Sequence, residues 1–135
     1  MVLAEYVRHL TPILKHVDLI VPVPTSRDRA GARGGSIPYS LAVTLQDVLA
    51  VPMRACIQLV AEYDGHAVVS GEARSQALSR AWRAERTPIL ERSAVLLVDD
   101  IVTTGTTLSV AAELLIEAGA RVVYAVALLH TEKSS

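Results

Sequence analysis

Apolar residues in the first seventeen positions fall at Leu3, Tyr6, Val7, Leu10, Ile13, Leu14 and Val17, the spacing of one helical face. Pro12 after Thr11 kinks or restarts that helix. Leu19-Ile20-Val21-Pro22-Val23-Pro24 is rich in β-branched residues and has no polar alternation. It predicts a strand buried on both faces and closed by proline. Residues 25–37 form an Arg/Gly/Ser loop. A helix follows, with Ser36 as N-cap, Pro38 in its first turn and a stripe of Leu41, Leu45, Val48 and Leu49. Residues 53–60 predict a second strand. Residues 62–73 are polar apart from Ala67-Val68-Val69, and 74–86 are helix-compatible and heavy in arginine. Ala94-Val95-Leu96-Leu97-Val98 is the strongest strand. It runs through Asp99-Asp100-Ile101-Val102 into a threonine-rich turn, and the next helix places Leu108, Ala111, Ala112 and Leu115 on one stripe. Gly119 closes that helix at the position after its cap. A final strand spans Arg121 to Leu129.

Helix and strand alternate four times, which predicts an α/β fold: an open, mainly parallel twisted sheet with helices on both faces. The 135 residues suit a single domain over 1–135, and 51% hydrophobic content is ample for a core. With no Phe and one Trp, that core is built from Val, Leu, Ile and Ala. A net charge of -1 provides no global basic field, so no direct binding of nucleic acid is expected. A lone cysteine excludes a disulfide framework and a cysteine zinc site. No apolar run reaches the roughly 18 residues of a membrane helix. Glu5 and Arg8 spoil a secretory segment, which leaves a reduced, cytoplasmic setting.

In open parallel sheets, ligands sit beyond the carboxyl ends of the strands, and two loops leave such ends here. In the loop at 99–107, Thr103, Thr104, Gly105, Thr106 and Thr107 make a tight turn into a helix. Backbone N–H groups, hydroxyls and the positive helix end suit a phosphate. The spacing is not that of a Walker A loop, and no Lys follows the glycine. Asp99 and Asp100 would repel a phosphate directly beside them. They make sense as acceptors for sugar hydroxyls or as an indirect hold on Mg²⁺. A ribose 5-phosphate unit, with phosphate at one end and a vicinal diol near the other, meets both demands. The competing reading is an acid-rich turn with a threonine cap and no ligand.

Val95 to Thr107 resembles, over all thirteen residues, the signature of type I phosphoribosyltransferases, which bind 5-phosphoribosyl 1-pyrophosphate (PRPP). A weaker resemblance over residues 18–130 is to the ComF/GntX-like branch. Arg33 and Gly34 match that branch's loop, whereas Gly35-Ser36-Ile37 departs from it, and Gln76 and Leu78 stand one residue closer than its pattern. The cysteine zinc module associated with ComF is absent. The resemblance implies that Thr103 to Thr107 bind the 5-phosphate, and that Asp99 and Asp100 serve the ribose and, indirectly, Mg²⁺. It assigns Thr25, Ser26 and Arg27, in the loop after the first strand, to pyrophosphate; hydroxyls and a guanidinium suit that anion. It further implies a closing loop over 63–83 with Gly65 and Gly71 as hinges, to which Arg74, Arg80 and Arg83 bring positive charge. Arg74, nearest the polar loop, is the catalytic candidate. The competing reading of this segment is a solvated helix face.

The implied activity is displacement of pyrophosphate from PRPP by a nitrogen nucleophile, a nucleobase or an amine, with Mg²⁺ as cofactor. A non-catalytic PRPP or nucleotide sensor, regulatory or competence-related, and a scaffold with a vestigial site are the alternatives. Little chain lies outside the core to cover an acceptor, which predicts a homodimer in which a neighbouring subunit completes the pocket. His9, His16, His66 and His130 are scattered and form no metal pair. Cys56 reads as a small core residue, and Trp82 as a packing residue.

Overall fold

The structure is a computed structural model, and it describes residues 16–24, 37–61, 71–102 and 105–130. The helix expected over 2–17, the Ser36 cap and the apolar piece at 67–69 lie outside the described residues, Val17 and its neighbour His16 excepted. In chain order the elements are β1 (Leu19–Pro22), α1 (Ile37–Leu49), β2 (Ile57–Leu59), α2 (Gly71–Ala81), β3 (Trp82–Ala84), β4 (Ala94–Val102), α3 (Thr106–Glu117) and β5 (Val122–His130).

β1, β4 and β5 form a parallel sheet in that spatial order, with Leu19 opposite Val95 and Ala94 opposite Val122. The apolar runs of β1 and β4 are continuous because both of their faces are covered. Leu19, Val21, Val95 and Leu97 pack with Leu78, Trp82, Val110 and Leu115 on one side. Ile20, Leu96 and Val98 pack with Ala42 and Leu45 of α1 on the other. Each such leucine, removed from water, contributes about 1.5–3 kcal/mol.

One expectation is corrected. Residues 53–60 do not form a single strand of the parallel sheet. Met53 alone bridges to Ile20, flanked by bonds from Ile20 N–H to Pro52 O and from Arg54 N–H to Ile20 O, each 2.9 Å. The chain then turns away, and β2 pairs antiparallel with β3 in a separate ribbon. β3 itself lies within the arginine-rich stretch expected to be helical to residue 86. The local pattern explains both differences. Ile57-Gln58-Leu59 and Trp82-Arg83-Ala84 alternate with period two, so that one ribbon face joins the core and the other exposes Gln58 and Arg83.

The amino end of β4 is tied down by side chains. Asp18 N–H donates to Ala94 O at 2.8 Å, and Ala94 N–H donates to Asp18 Oδ2 at 2.9 Å, which locks β1 to β4 in register. α3 ends as the sequence predicts. Gly119 (φ 116°) donates to Ile116 O, and Ala120 N–H reaches back to Leu115 O, so orphan carbonyls of the last turn are satisfied. With both ends fixed, the carboxyl ends of β1, β4 and β5 share one edge of the sheet.

Candidate functional site

β4 carries five buried apolar residues, Ala94 to Val98, and then two buried acids, Asp99 and Asp100, which are 6% and 7% exposed. Taking a carboxylate out of water is costly unless hydrogen bonds compensate. Part of that compensation is visible, since Asp100 N–H donates to Asp99 Oδ1 at 2.8 Å. The neighbouring strand asks for no acid there, because Ala127 of β5 stands opposite Asp99.

Gly105 follows, as the N-cap of the twelve-residue helix α3. Its φ of 80° and ψ of -1° are left-handed, a conformation that glycine adopts without strain. Among the described residues a Cβ there would meet nothing within 4 Å, and the backbone conformation by itself selects glycine. No side chain of the cap bonds the first turn, and that turn holds no acidic residue. Helix-start N–H groups have no intrahelical acceptor and carry partial positive charge. Thr106 and Thr107, both half-buried, form the start of the helix.

Asp99, Asp100, Gly105, Thr106 and Thr107 are therefore gathered at one strand-to-helix junction. Thr103 and Thr104, which join the two halves, and Thr25, Ser26 and Arg27 lie outside the described residues. So does the side chain of Arg74, whose backbone belongs to α2. The described part of the expected closing segment is not a loop. α2 packs on α3, burying Leu78 and Ala81, while Arg80 and Arg83 are exposed.

Sequence reasoning missed a shallow apolar crease beside Asp99, bordered by Leu41 and Leu45 of α1 and by Val126 and Leu128 of β5. Its walls come from three elements distant in sequence, and no local spacing announces it. Cys56 takes no part in the site. It is half-buried against the core, and burial pushes its thiol above the ordinary range against the opposing pull of the Arg54 charge. Among the described residues no cluster of three or more His, Cys, Asp or Glu could hold a metal ion, and no helix is long and apolar enough to cross a membrane.

The phosphoribosyl transferase domain family matches residues 33–135. No curated protein matches in sequence. Among solved structures, adenine phosphoribosyltransferase of Saccharomyces cerevisiae superposes with a TM-score of 0.64 at 18% identity, covering 96% of this chain and 66% of that one. A purine phosphoribosyltransferase of Pyrococcus horikoshii gives 0.53 at 18%, covering 99% and 79%. An allosteric regulatory enzyme of purine biosynthesis gives 0.56 at 25%, covering 82% of this chain and 22% of its own. The chain thus spans about two thirds of the yeast enzyme and about a fifth of the allosteric one. With its parallel sheet, its paired acids and its glycine turn, the chain belongs to the phosphoribosyl transferase domain family.

Proposed function

We propose that this chain is a PRPP-dependent pentosyltransferase in which a nitrogen nucleophile displaces pyrophosphate from C1 of the ribose. The observation that carries the reading is the placement of two buried carboxylates at the end of β4, a few residues before a left-handed glycine at the positive end of α3. An anion and a diol are recognised side by side by such a junction. The yeast structure, whose ligands are an imino-altritol bisphosphate and adenine, supports a phosphorylated sugar and a nucleobase as the chemical classes.

In this reading Thr103, Thr104, Gly105, Thr106 and Thr107 hold the 5-phosphate. That anchor is remote from the reacting bond, so its binding energy positions the sugar. Asp99 and Asp100 accept the ribose hydroxyls and oppose the positive charge that develops on the ring as the C1–O bond breaks and the C1–N bond forms. The nucleophile's proton leaves to solvent, and no residue is assigned as its base. Thr25, Ser26, Arg27 and Arg74 are assigned to the departing pyrophosphate. Asp99 and Asp100 are the acids that would hold Mg²⁺, indirectly, beside the bound sugar. When bound, Mg²⁺ neutralises charge on the leaving group. The acceptor is a nucleobase or an amine, the assembly is a homodimer, and the setting is the cytoplasm.

Calorimetry with PRPP and Mg²⁺, followed by a pyrophosphate-release screen over purines, pyrimidines, orotate and small amines, tests the proposal. Binding followed by release with one acceptor is expected. Binding without release against any acceptor replaces the enzyme with a PRPP-sensing, ComF-like protein, a reading favoured by the departure at Gly35-Ser36-Ile37. Absence of PRPP binding by folded protein overturns both.

A further inference from the structure

The described helices cover the two faces of β5 unequally. On one face α3 packs across β4 and β5, with Val123 against the core. On the other, α1 packs across β1 and β4 and borders β5 at the shallow crease, through Leu41 and Leu45. Residues two apart share a face of a strand, so Tyr124, Val126 and Leu128 stand together on the α1 side. Tyr124 and Val126 are only partly buried, and Leu128, at 56% exposure, is the most exposed large apolar residue among those described. The chain arrives on this same side from its amino end, because Val17, 6% exposed, packs with Ile20, Ala42, Leu45, Leu96 and Val98.

We propose that residues 2–15 of the chain lie as an amphipathic helix on this face, antiparallel to β5, covering Leu128 and filling the crease. Leu3, Tyr6, Val7, Leu10, Ile13 and Leu14 share one helical stripe, and Glu5, Arg8, His9 and Lys15 fall off it. The next apolar position of that stripe is Val17, which is already in the α1-side core. It lies at the amino edge of the sheet, since its neighbour Asp18 bonds Ala94, the first residue of β4. A helix ending there runs back toward the carboxyl edge. Residues 2–15 then span about 20 Å, the distance that β5 covers from Val122 to Leu128 at about 3.3 Å per residue. Leu10 comes level with Tyr124, Val7 with Val126 and Leu3 with Leu128.

No other stretch outside the described residues joins an apolar stripe to an attachment on this side. Residues 131–135, Thr-Glu-Lys-Ser-Ser, hold no apolar side chain, and residues 25–36 hold none larger than alanine. Residues 62–70 include Ala67-Val68-Val69, but Leu59 before them and Leu78 after them pack on the α3 side of the sheet. A second copy competes at a disadvantage. The segment is tethered at Val17, so its docking escapes the loss of free motion that two separate molecules suffer on association. With the crease filled, no acceptor of the proposed activity, on which this step alone rests, enters between α1 and β5 beside Asp99.

Hydrogen exchange of the full chain, read by mass spectrometry, should be slowed over residues 3–15. Leu128→Asp should restore fast exchange there while residues 94–98 of β4 stay protected, which shows that the fold survives. Ile116→Glu, at an exposed apolar position of α3, should leave the segment protected. Val7→Ala and Val126→Ala should each lower the urea midpoint, and the double variant should lower it by less than their sum, the mark of residues in contact. This cycle introduces no buried charge, so it decides the matter even where Leu128→Asp fails to fold. Fast exchange over 3–15 in the wild type overturns the proposal, as does protection that survives Leu128→Asp in folded protein, or additive losses in the cycle. Protection that fades on dilution in step with dissociation of a dimer, followed by sedimentation, gives the face to a second copy and overturns it too. None of these readouts uses turnover, so loss of the proposed activity leaves them standing.

Discussion

Aspartates serve both ends of β4: Asp18, just before β1, meets its amino end, and Asp99 stands within the strand near its carboxyl end. At the amino end Asp18 closes the backbone accounting: it accepts Ala94 N–H with its carboxylate and donates its own N–H to Ala94 O. That carboxylate holds one strand against the next. At the carboxyl end Asp99 also serves an amide, that of Asp100, but this bond joins neighbours on one strand and fixes no register. The sheet would close with apolar residues at 99 and 100, as it does at 94 to 98. Two buried acids where packing asks for none, next to a positive helix end, are the ground for assigning a site here. The same side-chain chemistry locks register at one end and, in the proposed reading, meets the ribose at the other.

Substitution sharpens this contrast most at the carboxyl end. Asp99→Asn with Asp100→Asn should lower kcat by about 10²–10³-fold, the usual loss when a group opposing transition-state charge is removed. Calorimetry should still detect binding of the 5-phosphate end, and the thermal midpoint should move little. Equal loss of turnover and phosphate binding in folded protein would break the assignment. Asp18→Ala should act in reverse. It strands Ala94 N–H at a part-buried position and should cost about 1–3 kcal/mol in denaturant unfolding, with kcat per folded molecule unchanged.

The two glycines of α3 repeat the comparison at smaller scale. Gly105 (φ 80°) and Gly119 (φ 116°) both occupy backbone conformations that strain an alanine, by about 1–2 kcal/mol. A Cβ at Gly105 meets open space, whereas one at Gly119 stands 2.9 Å from Glu91 Oε2. The Glu91 side chain is half-exposed and pairs with Arg86 at 3.8 Å, so it can give way. Each alanine variant should therefore lose a similar amount of stability. Gly105→Ala alone should raise the KM for PRPP several-fold, because its turn positions the first N–H groups of the helix. A KM rise of the same size in Gly119→Ala would show that the loss is general.

The legibility of the chain follows the same division. The parallel pairing of β1, β4 and β5 and the acid-to-glycine junction were readable because their signals are local: unbroken apolar runs, adjacent carboxylates, a glycine at a helix start. The β2–β3 ribbon was not. Three-residue strands such as Ile57–Leu59 and Trp82–Ala84 are shorter than a helical turn's worth of evidence, and their partnership spans more than twenty residues. Packing of Leu78, Ala81 and Trp82 into the core leaves Arg80 and Arg83 exposed, a placement that local arginine spacing does not announce. The crease beside Asp99 needed α1 and β5 to be docked before its walls could meet.

The smallest effect concerns Cys56, beside β2 and remote in role from both ends of β4. Burial raises its thiol pKa above the ordinary range, and the charge of Arg54 only partly opposes this. The folded protein therefore keeps the proton at a pH where the unfolded chain has begun to lose it. Its contribution to stability is full below the unfolded thiol's pKa, about 8.5, and declines as pH rises from there toward the folded value. Urea midpoints should accordingly fall between pH 8 and pH 10 in the wild type, and less steeply in Cys56→Ala, which removes the titrating group. Arg54→Gln should steepen the fall, since the charge that favours the thiolate in the folded state is gone. Parallel pH profiles for the wild type and Cys56→Ala would mean that burial of the sulfur does not perturb it. The β2 margin would then be more open to water than the carboxyl end of β4, where the acids remain covered.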